Sequence, residues 1–222
     1  MASIYADEHR ALQQEFGTTK LADMLDQNWI HETITDEEKA FIEGRDMFFL
    51  STVDPEGNPT VSYKGGPTGV VKVIDAQTLV FPGYDGNGMF YSMGNIVGQA
   101  RVGLLFIDFE TPHRVRVQGT AEFLRDHPLM AGYTEAKYLV RVTVTKVWVN
   151  CPRYIHPAVA GELSPYTPRV GYAPPEPKWK LVIELGAGLT PSANNAPDSD
   201  FDVKSSAIPQ PVHSYKSPAL PP

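Results

Sequence analysis

Cysteine is nearly absent from this chain: Cys151 is the one thiol in 222 residues. It has no mate for an internal disulfide and no companions for a structural zinc site, which excludes the disulfide scaffold and the zinc ribbon together. Long hydrophobic runs are missing as well. No stretch approaches the ~18 consecutive apolar residues a membrane span needs. The N-terminus carries Asp7, Glu8, His9 and Arg10 where a secretory signal would be apolar, so a cytoplasmic protein without membrane association is expected. Basic charge is in deficit, 19 Lys and Arg against 26 Asp and Glu, for a net charge of −7. That is the wrong sign for gripping a phosphate backbone, and nucleic acid is not an expected partner. No phosphate-binding loop with its lysine, no nucleophile elbow and no pair of histidines flanking a glutamate occurs. The six histidines, His9, His31, His113, His127, His156 and His213, are scattered and read as surface or loop residues, so no metal site is expected.

What is present is enough apolar material, 42% of the residues, for one ordinary core. A chain of this size buries roughly 70% of its unfolded surface without a covalent staple. Proline and glycine divide the chain: 14 of the 20 prolines lie from Pro152 onward, and ten of the 18 glycines lie between Gly57 and Gly103. Three regions are expected: a helical segment over 1–45, a β domain over 46–185, and a proline-rich tail over 186–222. The tail lacks apolar periodicity and reads as disordered or as an arm packed on a partner subunit.

Apolar residues at three- and four-residue spacing predict helices over Ile4–Phe16 and Leu21–Trp29, and Thr35 followed by Asp36, Glu37 and Glu38 is a capping box opening a short helix to Gly44. After Arg45 the period shortens to two. Met47–Val53 and Pro59–Lys64 form a hairpin around Asp54-Pro55-Glu56-Gly57, and Val70–Ile74 pairs with Thr78–Phe81. Val102–Asp108, Val115–Leu124 and Tyr138–Val149 are three further strands, the last with Val140, Val142, Val144 and Trp148 expected on one face. One helix, Met89–Ala100, is inserted among them, with Phe90, Met93, Ile96 and Val97 as its expected buried side. The fold class that follows is mainly β (α+β): a small six- to seven-stranded antiparallel β-barrel with one inserted helix and flanking N-terminal helices, which the family resemblance given below specifies as a split β-barrel.

Several features suit a flat, anionic ligand. Tyr84-Asp85-Gly86-Asn87-Gly88-Met89 connects a strand to the inserted helix, where backbone N–H groups and the helix dipole favour an oxyanion, with Asn87 and Ser92 as further donors; the bland alternative is a plain tight turn. The spacing of Gly86-Asn87-Gly88 does not fit the dinucleotide fingerprint. Lys64 ends a strand before Gly65-Gly66, either as a ligand cation or as an exposed edge lysine. Arg114 and Arg116 project from one face of a strand and suit either solvent or a phosphate. Trp148, Tyr172 and Trp179 offer aromatic surface that suits stacking or core packing equally. Cys151 reads as structural.

From Phe41 to Ile155 the chain resembles the pyridoxamine 5′-phosphate oxidase-like, flavin mononucleotide-binding split barrels. The resemblance rests on Met47-Phe48-Phe49-Leu50-Ser51-Thr52-Val53-Asp54, Gly57-Asn58-Pro59, Lys64-Gly65-Gly66, Gly86-Asn87 with Asn95-Ile96, Arg101-Val102-Gly103-Leu104-Leu105-Phe106, Arg116-Val117-Gln118-Gly119 and Asn150-Cys151-Pro152-Arg153-Tyr154-Ile155. It implies a homodimer holding FMN at the subunit interface and an oxidoreductase acting between the flavin and a small-molecule substrate or nicotinamide donor. The alternative on the same fold is a non-catalytic carrier of flavin, deazaflavin or haem. The cofactor-binding residues it implies are Ser62, Tyr63, Lys64 and Gly65 on one strand, Pro82, Gly83, Asp85, Gly86 and Asn87 on the next loop, Ser92 and Asn95 on the helix, and Arg116. Where many relatives carry arginine, this chain has Gly88, Met89 and Gly94. Each missing charge-assisted hydrogen bond is worth about 1.5–3 kcal/mol. Lys64, Arg114 and Arg116 are the candidates to compensate, with Lys72 a poorer one.

Overall fold

The computed structural model describes residues 3–152, 154–156, 158 and 167–172, all within a compact unit spanning residues 1–173. The expected tail over 186–222, and Trp179, lie outside the described residues.

Three helices precede the main strands: α1 (Asp7–Glu15), α2 (Thr19–Asn28) and α3 (Asp36–Glu43), with a two-residue strand β1 (Ile30–His31) between the last two. The capping box forms as the sequence predicts. The Glu38 N–H donates to Thr35 Oγ1 (3.2 Å), and the Thr35 N–H donates to Glu38 Oε2 (3.0 Å). Glu38 is buried, and His31 Nε2 lies 2.9 Å from the same carboxylate oxygen, fastening β1 to α3.

Seven longer strands follow: β2 (Met47–Val53), β3 (Pro59–Gly65), β4 (Lys72–Asp75), β5 (Thr78–Gly83), β6 (Arg101–Asp108), β7 (His113–Leu124) and β8 (Tyr138–Val149). All pairings are antiparallel, in the order β3-β2-β6-β7-β8-β5-β4, with β1 added to β8. Strict alternation along β2 turns Phe48, Leu50 and Thr52 inward. Phe48 on β2 and Phe81 on β5 are far apart in the strand order, yet their rings stand 5.0 Å apart, and Phe48 stacks on Phe106 at 5.5 Å. The sheet therefore curls into an open barrel around an aromatic centre, each such side chain contributing about 1.5–3 kcal/mol through burial. The fold is the split-barrel α+β class: the period-two pattern anticipated the antiparallel barrel, and the family resemblance its split form.

Two details differ from the sequence reading. On β8, Val147 is buried and Trp148 is not. The pairing with β7 shifts register between Gln118 and Gly119, so that Gln118 faces Lys146 while Gly119 faces Val144. Thr145 is the extra residue of this bulge, and everything after it changes face. Gly119 is required there, because a Cβ would come within 2.3 Å of the Thr143 carbonyl oxygen. The inserted helix, α4 (Tyr91–Gln99), buries Met93, Asn95 and Ile96, while Phe90 and Val97 are exposed. It starts two residues later than expected because Phe90 takes the left-handed conformation (φ 50°) as its N-cap, which rotates the buried stripe.

Candidate functional site

The curl leaves β3 and β4 as open edges, and between β3 and the segment after β5 lies a cleft of about 1110 Å³. Its walls are the inner side of β3, the stretch Phe81–Met93, the start of β2 and the end of β6. Ten of the twelve cofactor-binding candidates line it: Ser62, Tyr63, Lys64, Gly65, Pro82, Gly83, Asp85, Gly86, Asn87 and Ser92. Residues 20 to 30 apart in sequence meet because β3 and β5 sit toward opposite ends of one curled sheet.

The inward side of β3 is polar, with Thr60, Ser62 and Lys64 at alternate positions. Thr60 Oγ1 lies 2.8 Å from Thr52 Oγ1, which accepts a hydrogen bond from Asn95 Nδ2 at 3.0 Å. Ser62 Oγ lies 3.3 Å from Ser92 Oγ on α4. Lys64 is half-buried and has no hydrogen bond or ion pair among the described residues, and burial pushes its ammonium below the ordinary lysine pKa. Opposite stands the start of α4. Phe90 offers no capping side chain, so the first-turn amides of Tyr91, Ser92 and Met93 lack a side-chain acceptor, and all three residues line the cleft. In the preceding loop the Met89 N–H donates to Asn87 Oδ1 (3.1 Å), and Gly88 has φ +78°. A Cβ at Gly88 or Gly94 would meet nothing within 4 Å, so two of the three positions where the resemblance led arginine to be expected border open space.

Aromatic residues complete the walls. Tyr84 and Tyr138 are partly buried, which raises both phenol pKa values. Gly83 is flat against Tyr138, since a Cβ there would fall 1.9 Å from the ring. Donors at an uncapped helix start, two hydroxyls, the half-buried Lys64 and an apolar aromatic slot form a set that fits a phosphate-bearing planar ring, in a cleft whose lining also holds the exposed Lys137 and the carboxylates of Asp46, Asp85 and Glu110.

Two candidates lie elsewhere. Asn95 is buried beneath α4 and committed to Thr52. Arg116 is exposed on the outer face of the sheet, in a row with Leu105 and Trp148. Of the other compensating cations, Arg114 donates to the Cys151 carbonyl (2.8 Å), and Lys72 donates to the Gly132 carbonyl and sits over the Tyr133 ring. Lys64 alone of the four lines the cleft. Sequence reasoning missed Arg45, whose guanidinium pairs with Asp108 at 2.5 Å at the far end of the cleft, and it missed the link from Tyr91 to Asp54. No local pattern announces either contact. Asp85 was anticipated, but the wall formed by Phe90 and Tyr91 was not, because the expected helix covered both.

An open antiparallel barrel with a polar cleft between β3 and the segment after β5 defines the class. Residues 34–157, more than half of the chain, match the family model of pyridoxamine 5′-phosphate oxidase, and the chain belongs to that family. No curated protein matches it. Among solved structures, HupZ of Group A Streptococcus is 22% identical (TM-score 0.43, covering 58% of this chain and 99% of that one). An FMN-binding protein of Syntrophomonas wolfei is 11% identical (0.42; 63% and 97%). HutZ, the haem storage protein of Vibrio cholerae, is 19% identical (0.40; 52% and 94%). Among the described residues no helix is long and apolar enough to cross a membrane.

Proposed function

We propose that this protein is a homodimeric FMN-dependent oxidoreductase passing two electrons between the flavin and a small substrate or nicotinamide donor. The observation that carries the reading is Lys64, a half-buried ammonium without an acidic partner among the described residues. Holding an unpaired cation in that state costs free energy unless an anion arrives to meet it. The phosphate is assigned to the first-turn amides of α4 with the Ser62 and Ser92 hydroxyls. Lys64, two residues along β3 from Ser62 and so roughly 7 Å further on, is assigned to the polar edge of the ring. Tyr63, Gly65, Pro82, Gly83, Asp85, Gly86 and Asn87 border the remainder. When bound, the flavin supplies reversible two-electron chemistry, while the chain's own groups bind and orient it and, through Lys64, favour negative charge at the ring.

The dimer is supported by the outer face of the sheet. Tyr63, Phe49, Leu105, Arg116 and Trp148 stand in one cross-strand row, with Val61 and Tyr63 left 70% and 62% exposed. Two exposed apolar side chains beside a row of partly exposed aromatic and aliphatic ones, interrupted by Arg116, suit an interaction surface. A second copy seated on it brings Arg116 toward a cleft it cannot reach within its own chain.

The test is the absorbance of the protein as purified. A flavin spectrum that bleaches on adding a reduced nicotinamide supports the enzyme. Bound chromophore without bleaching leaves the carrier of flavin, deazaflavin or haem. Protein that stays colourless in excess FMN refutes the reading.

A further inference from the structure

Helix α4 is poorly equipped to hold its own first turn. Its N-cap is a left-handed phenylalanine with no capping hydrogen bond, and Gly94 and Gly98 fall within its nine residues, each weakening it by roughly 1 kcal/mol relative to alanine. What fixes the turn comes from outside the helix. The Tyr91 hydroxyl donates to Asp54 Oδ2 at 3.3 Å. Asp54 is itself buried at the β2–β3 turn, where it accepts from the Asn58 N–H (2.7 Å) and from Asn58 Nδ2 (3.0 Å). The Asn58 side chain, followed by the smaller contributions of the Asn58 backbone and the Tyr91 hydroxyl, holds the Asp54 carboxyl below its usual pKa in spite of burial. One turn later, Asn95 on α4 is tied to Thr52 on β2. Beside the Ser62–Ser92 hydroxyl contact, these two side-chain bonds to β2 and its turn clamp the helix start to the hairpin that also carries Ser62 and Lys64.

We propose that Asp54 and Tyr91 are positioning residues for phosphate recognition: the hydroxyl–carboxylate latch between the β2–β3 turn and the first turn of α4 holds the amide donors where the cofactor's phosphate binds, and so sets the preference for the phosphorylated flavin over the unphosphorylated one. The inference rests on the FMN reading above and adds to it a device that Tyr91's place in the cleft wall does not explain, its partner Asp54 standing outside that wall. Releasing the latch lets the turn sample other orientations. The apparent dissociation constant then rises in inverse proportion to the fraction still competent, and a competent fraction of about one in ten gives a tenfold loss.

The experiment titrates wild type, Tyr91→Phe, Asp54→Asn and the double variant with FMN and with riboflavin, following flavin fluorescence. Tyr91→Phe removes one oxygen and keeps the ring, and a thermal melt confirms its fold even should Asp54→Asn disturb the hairpin. The expected result is FMN affinity reduced roughly five- to tenfold in Tyr91→Phe with riboflavin affinity unchanged, and a double variant no weaker than the worse single one. Equal losses for both flavins would reduce the latch to general scaffolding, and an unchanged FMN affinity would also overturn it. A wild-type protein that binds neither flavin removes the FMN reading itself, and the latch's role with it. Wild-type binding that favours FMN, followed by variants with the same preference, refutes the latch alone.

Discussion

In Lys64→Met the aliphatic stem remains and the ammonium is lost, so the substitution separates what the charge costs the empty fold from what it contributes to a bound anion. Burial holds the Lys64 pKa below the ordinary lysine value, which means that the native state binds the proton less tightly than the unfolded chain does. Removing a half-buried, unpaired charge is worth on the order of 1 kcal/mol to the cofactor-free fold, and for a unit of this size that raises Tm by roughly 2–4 °C. The same change removes a charge-assisted contact of about 1.5–3 kcal/mol from an anionic ligand. With Lys64 partly open to solvent, the lower end applies, near a tenfold rise in the FMN dissociation constant. The two effects have opposite signs. The pH dependence follows: between the lowered native pKa and the unfolded one the unfolded chain carries more protons, so the Lys64 contribution to the stability of the cofactor-free wild type rises with pH across that window. FMN affinity falls across the same rise, as the ammonium is neutralised. Lys64→Met loses both contributions, while the tyrosines whose phenol pKa values are raised by burial add the same opposite slope to both proteins. Calorimetric melts of the flavin-free protein and fluorescence titrations over the alkaline range measure both. A lower Tm with unchanged FMN affinity would refute the assignment of Lys64 as an unpaired cation awaiting an anion.

Gly119→Ala forces a Cβ to within 2.3 Å of the Thr143 carbonyl oxygen, a rigid backbone atom; a loss of about 3 kcal/mol or more is expected, read as a much lower Tm or as protein found in the insoluble fraction, and a wild-type Tm would show that the β7–β8 bulge does not need glycine. Val61→Asp, at a position 70% exposed in the protomer, leaves the isolated protomer's fold within about 0.5 kcal/mol but introduces a charge into the proposed seam. It should convert the dimer to a monomer by light scattering and weaken FMN retention, and an unaltered dimer would place the seam elsewhere.

Much of the fold was legible because its determinants are local. The Thr35–Glu38 capping box reports a helix start within four residues, and the alternation along Met47–Val53 reports a strand buried on one side. Ser62, Lys64, Gly86 and Asn87, singled out through turn chemistry and through likeness to a family, line one cleft. What failed to be read has a physical reason in each case. The bulge at Thr145 depends on how β7 and β8 count past each other, which neither strand's own pattern records, and so Trp148 was given the wrong face. Phe90 adopts a left-handed backbone that its residue type disfavours, so the buried side of α4 was misjudged by part of a turn. Asn95, expected beside a ligand, is buried and donates to Thr52, a contact 43 residues away in sequence.

The amino-acid order by itself determined the class of protein: acidic, one core, period-two strands around an inserted helix, and hydroxyl, amide and lysine groups placed before glycines. Which of those groups face one another was decided only when the sheet curled, because the contact between β3 and the start of α4 joins segments some thirty residues apart whose approach depends on register, twist and the packing of Phe48 on Phe81. Lys64 acquires its meaning at the same moment. A lysine is a lysine in sequence, but its withdrawal from water without a counter-charge is a property of the walls that tertiary structure builds around it.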